Sequence, residues 1–179
     1  GDRVGFVLPV DSMGFVELAE GEPLPEGYTD PVQPGLVGTF YGNARFLNPQ
    51  SEYPLGRLSL HYDNAVERRG NDWGAIWEGF LIAPVSGRVR FEVNSDQATT
   101  LIIDGTTLVG SDDPPGPSAT GFDMVAGELY PIEVRFQLPS GGIGFFDIRW
   151  SWDGQSPEVI DSGALRHSEA QRMEIRKTW

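Results

Sequence analysis

At 179 residues, with 13 Lys and Arg against 26 Asp and Glu, the chain has a formal charge of −13 and a pI near 4.4. No basic stripe exists to neutralise phosphates, which excludes nucleic acid as a partner. The absence of cysteine excludes disulfides, thiolate metal sites and cysteine nucleophiles, and no apolar run approaches the roughly 20 residues of a membrane helix. Acidity of this degree reads either as solubility in a salty or extracellular medium or as a divalent-cation site among acidic loops.

Taken in order, residues 1–34 read as an N-terminal arm or linker. Residues 4–10 (VGFVLPV) and 15–18 are short strand candidates, and the acidic, Pro-rich EGEPLPEGYTDPVQPG that follows has little periodicity. From Gly35 the pattern tightens. Residues 36–41 (LVGTFY) form a strand candidate, followed by a loop through Asn48-Pro49 and Tyr53-Pro54. Residues 58–62 give a weaker strand, 65–71 (AVERRGN) a charged loop, and 73–83 a return to the core.

The clearest alternation lies between Trp77 and Gly105. Val89, Phe91 and Val93 interleave with Arg88, Arg90 and Glu92, so one face is apolar and the other wet. Asn94, Ser95, Asp96 and Gln97 make a polar corner, and Asp104-Gly105 is a two-residue hairpin signal. Residues 110–120 (GSDDPPGPSAT) form a polar excursion without regular structure, in which Asp112-Asp113 reads as a solvated loop tip. Two strong strands follow, carrying Tyr130, Ile132, Val134 and Phe136 on one face, then Phe146, Ile148, Trp150 and Trp152. The loop between them, residues 137–144 (QLPSGGIG), contains Gln137, Gly141 and Gly142, and its glycines expose backbone carbonyls. A last short strand is expected at Val159-Ile160, and residues 166–177 give either a short helix or, at MEIRK, a final strand. Eight to ten short strands among 23 Gly and 14 Pro predict an all-β, antiparallel two-sheet β-sandwich with an irregular N-terminal arm. The expected organisation is an arm over 1–34, a sandwich over 35–165 and a C-terminal extension over 166–179.

The order of these pieces resembles the protective-antigen (PA-14) domain family, a β-sandwich module of bacterial toxins, adhesins and glycosidases. The matching stretches are GLVGTFY (35–41), IWEGFLIAPVSGRVRFEVNSDQATTLIIDG (76–105), VAGELYPIEVRF (125–136) and FFDIRWSW (145–152), with 157–165 as the closing stretch. The resemblance implies a secreted or cell-surface module without catalysis, joined to neighbouring domains of a larger chain. It also implies a lectin-like site in which two consecutive aspartates hold Ca²⁺ and the ion chelates a sugar diol. The aligned residues here are Asp96 and Gln97, so Ca²⁺ is an expected cofactor with its second carboxylate missing. Ca²⁺ takes about 6–8 oxygens and binds more tightly as more of them are charged. The 137–144 loop would have to supply backbone oxygens.

Catalytic arrangements are not evident. His61 and His167 are the only histidines, and neither lies in a nucleophile–base pattern. Trp73 and Trp77 share a strand face, where core packing is the default. The other reading is a sugar-stacking platform, for which Trp73 is the better placed, with Tyr53 and Phe145 as further candidates. The expected glycan site therefore comprises Asp96, Gln97, Trp73, Gln137, Gly141 and Gly142, with Asp96 and Gln97 as metal ligands. The alternative is a spacer or protein-interaction sandwich that has lost the ion.

Overall fold

The computed structural model describes residues 4–7, 15–18, 32–62, 72–110, 118–139 and 144–176. They belong to two units, Gly1–Pro31 and Val32–Trp179. In the first, β1 (Val4–Val7) runs antiparallel to β2 (Phe15–Leu18), with Val4 opposite Leu18 and Val7 opposite Phe15.

The second unit is an antiparallel sandwich. Its larger sheet has eight strands. They run β10 (Thr106–Val109), β9 (Ala98–Ile103), β12 (Leu129–Leu138), β7 (Trp73–Ile82), β15 (Leu165–Ser168) and β3 (Val32–Pro34), with β4 (Val37–Tyr41) on β7 and β5 (Pro49–Glu52) on β4. The smaller sheet has five, β11 (Ser118–Met124), β8 (Gly87–Ser95), β13 (Gly144–Ser151) and β14 (Glu158–Val159) in that order, with β6 (Ser59–Tyr62) also on β13. Strand β3 ends just before residue 35, and β15 begins at Leu165 and runs to Ser168.

Alternation decides what is buried. Val89, Phe91 and Val93 of β8 are inside, as are Ile132, Val134 and Phe136 of β12 and Phe146, Ile148 and Trp150 of β13. The sheets meet through aromatic rings, with Trp77 and Phe146 centred 5.6 Å apart and Phe136 and Phe146 5.5 Å apart. Each such ring contributes about 1.5–3 kcal/mol by leaving water. At the β9–β10 turn, Asp104 (φ 49°) and Gly105 (φ 71°) both take the left-handed conformation that a type I′ hairpin requires.

Two expectations change, and the open choice at the C-terminus falls to the helix. β5 falls in a stretch read as loop, because Pro49-Gln50-Ser51-Glu52 has no apolar alternation; it is an edge strand, where Pro is tolerated. β11 occupies the end of the polar excursion from Ser118 and continues to Met124, paired with β8; Asp112 and Asp113 lie outside the described residues. The C-terminal segment is helical, α1 (Glu169–Arg176). Its start is a reciprocal capping box: Gln171 N–H donates to Ser168 Oγ (3.1 Å), and Ser168 N–H donates to Gln171 Oε1 (2.9 Å). α1 packs near β4 and β5, with Arg172 Nε 2.8 Å from Glu52 Oε1.

Away from the core, Glu78 of β7 stands directly opposite Glu133 of β12. Glu78 keeps contact with solvent, yet crowding by its neighbours desolvates the carboxyl and raises its pKa above the ordinary 4.5. The Glu133 charge adds to this, and Arg135 opposes it. A raised folded-state pKa favours the protonated group, so this stabilisation is complete below the unfolded value and is lost as pH climbs through the folded one. Glu78→Gln is therefore expected to raise the melting temperature at pH 7. The gain should shrink as pH falls towards 4, because wild-type Glu78 then takes up its own proton. Thermal melts of both proteins across that range check it; an unchanged difference at all pH values would refute it.

Candidate loop-end site

The end of β8, the start of β9, the start of β13 and the end of β12 come together at one end of the sandwich. The register shows this, placing Ser95 opposite Phe146 and Gln137 opposite Ala98. The polar corner of the sequence sits there. Asp96 accepts the Phe145 N–H on Oδ1 (2.8 Å), and its own N–H reaches Phe145 O at 3.3 Å. Beneath it, Ser95 is 4% exposed, and its Oγ lies 2.8 Å from Gln97 O, 2.9 Å from Phe145 O and 2.7 Å from Thr99 Oγ1. A serine hydroxyl carries one proton, so it donates to one of these at a time. It also accepts the Gln97 N–H at 3.2 Å. This hub ties the β8–β9 corner to β13.

Gln137 belongs to β12 and not to a loop, since the strand extends to Leu138. Its side-chain Nε2–H donates to Ala44 O at 2.6 Å, while Ala44 N–H donates to Asp72 Oδ2 at 3.1 Å. The 42–48 loop is thereby strapped to the same end. Asn43 Oδ1 accepts the N–H groups of Arg45 (3.0 Å) and Leu47 (3.1 Å). Phe46 is held at φ 56°, a left-handed conformation that is uncommon and strained for a bulky residue. Sequence reading passed over this loop; its only signals were Asn43 and the Asn48-Pro49 turn.

The aromatic platform differs from the one expected. Trp73 is 5% exposed and packs against Phe40, Tyr62 and Phe136 at 5.5, 4.9 and 5.4 Å, so it is no open stacking surface. Core packing on the inner face of β7 accounts for it. The stacked pair at the surface is instead exposed His61 on half-buried Phe145, which face each other across β6 and β13 with centroids 5.5 Å apart and planes at 16°. The sequence alone assigns His61 no role. The signal was its alternation with the inward Leu60 and Tyr62, invisible until β6 is paired with β13. Asp147, on the same outer face, accepts a hydrogen bond from Ser59 Oγ and lies 4.0 Å from His61 Nε2.

Gly141 and Gly142 lie outside the described residues. Asp96 and Gln97 are adjacent, as the metal reading requires, but the described residues offer Ca²⁺ a single carboxylate there; residues 140–143 of the loop expected to add backbone oxygens lie outside them. One carboxylate oxygen of Asp96 and the backbone oxygen of Gln97 are already engaged within the corner. No three His, Asp or Glu side chains gather into a metal-holding group among the described residues. A lone carboxylate falls well short of the charged, oxygen-rich shell the ion needs. No helix among the described residues is long and apolar enough to cross a membrane.

These features define a class, the two-sheet antiparallel sandwich module whose candidate site lies in its end loops. The PA14 domain profile matches residues 32–164, and the chain belongs to the PA14 domain family. Among solved structures it is similar to an anti-sigma factor domain-containing protein from Clostridium clariflavum, with 18% identity, a TM-score of 0.65, and 87% of this chain and 57% of that one covered. It is also similar to the PA14 domain of the MpAFP antifreeze protein (17% identity, TM-score 0.62, 81% and 96% covered). A third is the Epithelial Adhesin 9 A domain from Candida glabrata in complex with Galβ1-4GlcNAc (12% identity, TM-score 0.62, 82% and 96% covered). The chain spans 57% of the length of the anti-sigma factor domain-containing protein. No curated protein sequence matches it.

Proposed function

We propose that this domain is a non-catalytic glycan-binding module of a larger secreted or surface-exposed protein, using the loop end of the sandwich without calcium. The observation that carries the reading is the stacked His61–Phe145 pair. The Asp96 corner holds Phe145 in place through two backbone hydrogen bonds. An aromatic face beside fixed polar groups is what a pyranose needs: the ring covers its apolar C–H face, and the polar groups meet its hydroxyls. Asp96 Oδ2 and the Gln97 side-chain amide are the groups assigned to those hydroxyls. Galactose-containing disaccharides are the first candidates, because related adhesin domains are solved with Galβ1-3GlcNAc and Galβ1-4GlcNAc.

A glycan array probed with and without Ca²⁺ tests this reading. The expected result is binding that survives chelator and falls about tenfold in Phe145→Ala, the size of one lost stacking contact. Binding that requires Ca²⁺ would restore the ion to the corner. No binding to any glycan would favour the spacer or protein-interaction reading, to which the internally satisfied corner also lends support.

A further inference from the structure

We infer a second ligand site, a pocket of about 310 Å³ at the side of the sandwich, lined by Phe40, Ser51, Tyr53, Tyr62 and Trp73, which takes a single neutral pyranose unit. It lies where β4 and edge strand β5 of one sheet approach edge strand β6 of the other. Along the sheets, β6 lies two strand spacings from β8, and β4 lies three from β9. At about 4.8 Å per strand this puts the pocket on the order of 10–15 Å from the Asp96 corner.

Its chemistry is specific. Trp73 is 5% exposed, and its indole N–H is the one buried side-chain polar atom among the described residues without a hydrogen-bond partner. Buried donors are almost always paired, because an unmade bond forfeits the solvation the group has given up. Trp73 lines the pocket but its N–H has no accessible surface, so a polar acceptor entering there supplies the partner once the aromatic wall gives way. The remaining wall is aromatic, with Phe40 and Tyr53 at 6.2 Å edge to face and Tyr62 against Trp73 at 4.9 Å. Hydroxyls come from Ser51, Tyr53 and Tyr62, and burial raises the Tyr53 pKa, which keeps that phenol a donor. No charged side chain lines the pocket among the described residues, so an ionic ligand finds no counter-charge. A neutral polyol with one apolar face matches this wall. The volume, at the small end of the roughly 300–1,000 Å³ of ligand pockets, holds one ring and not an oligosaccharide. The choice of a sugar rests on the glycan-binding reading, but the site itself does not use the corner.

The test follows the Trp73 indole N–H resonance in ¹H–¹⁵N spectra of the full chain, assigned by its disappearance in Trp73→Phe. Methyl β-D-galactopyranoside and methyl β-D-glucopyranoside are titrated into wild type and Asp96→Ala. The expected result is a saturable shift of that resonance in both proteins with at least one sugar. It should weaken about 3–10-fold in Ser51→Ala, the equivalent of one hydrogen bond, and be lost in Ser51→Phe, which fills the pocket from an exposed edge-strand position. Trp73→Phe removes the unpaired donor but also leaves a gap among Phe40, Tyr62 and Phe136, so its melting temperature is expected to fall and it serves only to assign the resonance. A resonance that stays still with both sugars overturns the inference, and so does one that moves only when Asp96 is intact. Sugar binding elsewhere with a motionless Trp73 resonance removes the pocket and spares the corner; a moving resonance with no response at the corner does the reverse.

Discussion

Gly38→Ala is expected to destabilise the sandwich by about 2–6 kcal/mol, the sum of overpacking (roughly 1–3) and a strained buried hydrogen bond (roughly 1–3). The reason is a three-way clamp at the open edge of the larger sheet. Tyr53 N–H donates to Gly38 O at 2.7 Å, and the indole N–H of Trp77 donates to Tyr53 O at 2.8 Å. A Cβ on Gly38 would sit 2.6 Å from Tyr53 O and 2.8 Å from Trp77 Nε1, on top of that bond. Trp77 is fully buried against Phe146 and cannot retreat without opening the core. For a domain of this size the loss corresponds to a fall of roughly 10 °C in melting temperature. Urea denaturation at constant m-value measures it; a change below about 1 kcal/mol would mean that β4 and β5 swing outward at little cost.

Ser95→Ala is the second large effect, and it links stability to recognition. The hydroxyl serves two carbonyls, Thr99 and the Gln97 N–H. Its removal takes the acceptor from the Gln97 N–H and a partner from the buried Thr99 hydroxyl, at a cost of about 1–3 kcal/mol. Because Phe145 O loses one of its two donors and keeps only the Asp96 N–H, the platform residue loses part of its anchor, and glycan affinity is expected to fall together with the melting temperature. Thr99→Val separates the two consequences: it removes one member of the hub with little change in shape and leaves the Phe145 contact intact. If Ser95→Ala lowers stability while affinity is untouched, the corner does not position the platform.

Both effects arise from contacts that local pattern cannot reveal. Alternation in β8, β12 and β13 was legible because a strand's side chains change face at every residue, a property of a few consecutive residues. The same rule failed at β5 and β11, whose polar, Pro- and Gly-containing sequences show no alternation. There pairing with a neighbour makes the strand. The resemblance placed Asp96 and Gln97 at a corner, where they lie. It could not foretell that their oxygens are engaged by Phe145, Ser95 and Thr99.

By itself, then, the amino-acid order determined two facing antiparallel layers, their aromatic filling, the Asp104-Gly105 hairpin and the family. Tertiary structure alone decided which side chains share the loop end. Ser95 meets Phe145 from 50 residues away and Gln137 meets Ala44 from 93 away. It also drew Trp73 inward and set His61 against Phe145. Strand register across sequence-distant segments fixes such meetings, and register is an outcome of global packing that no local stretch encodes.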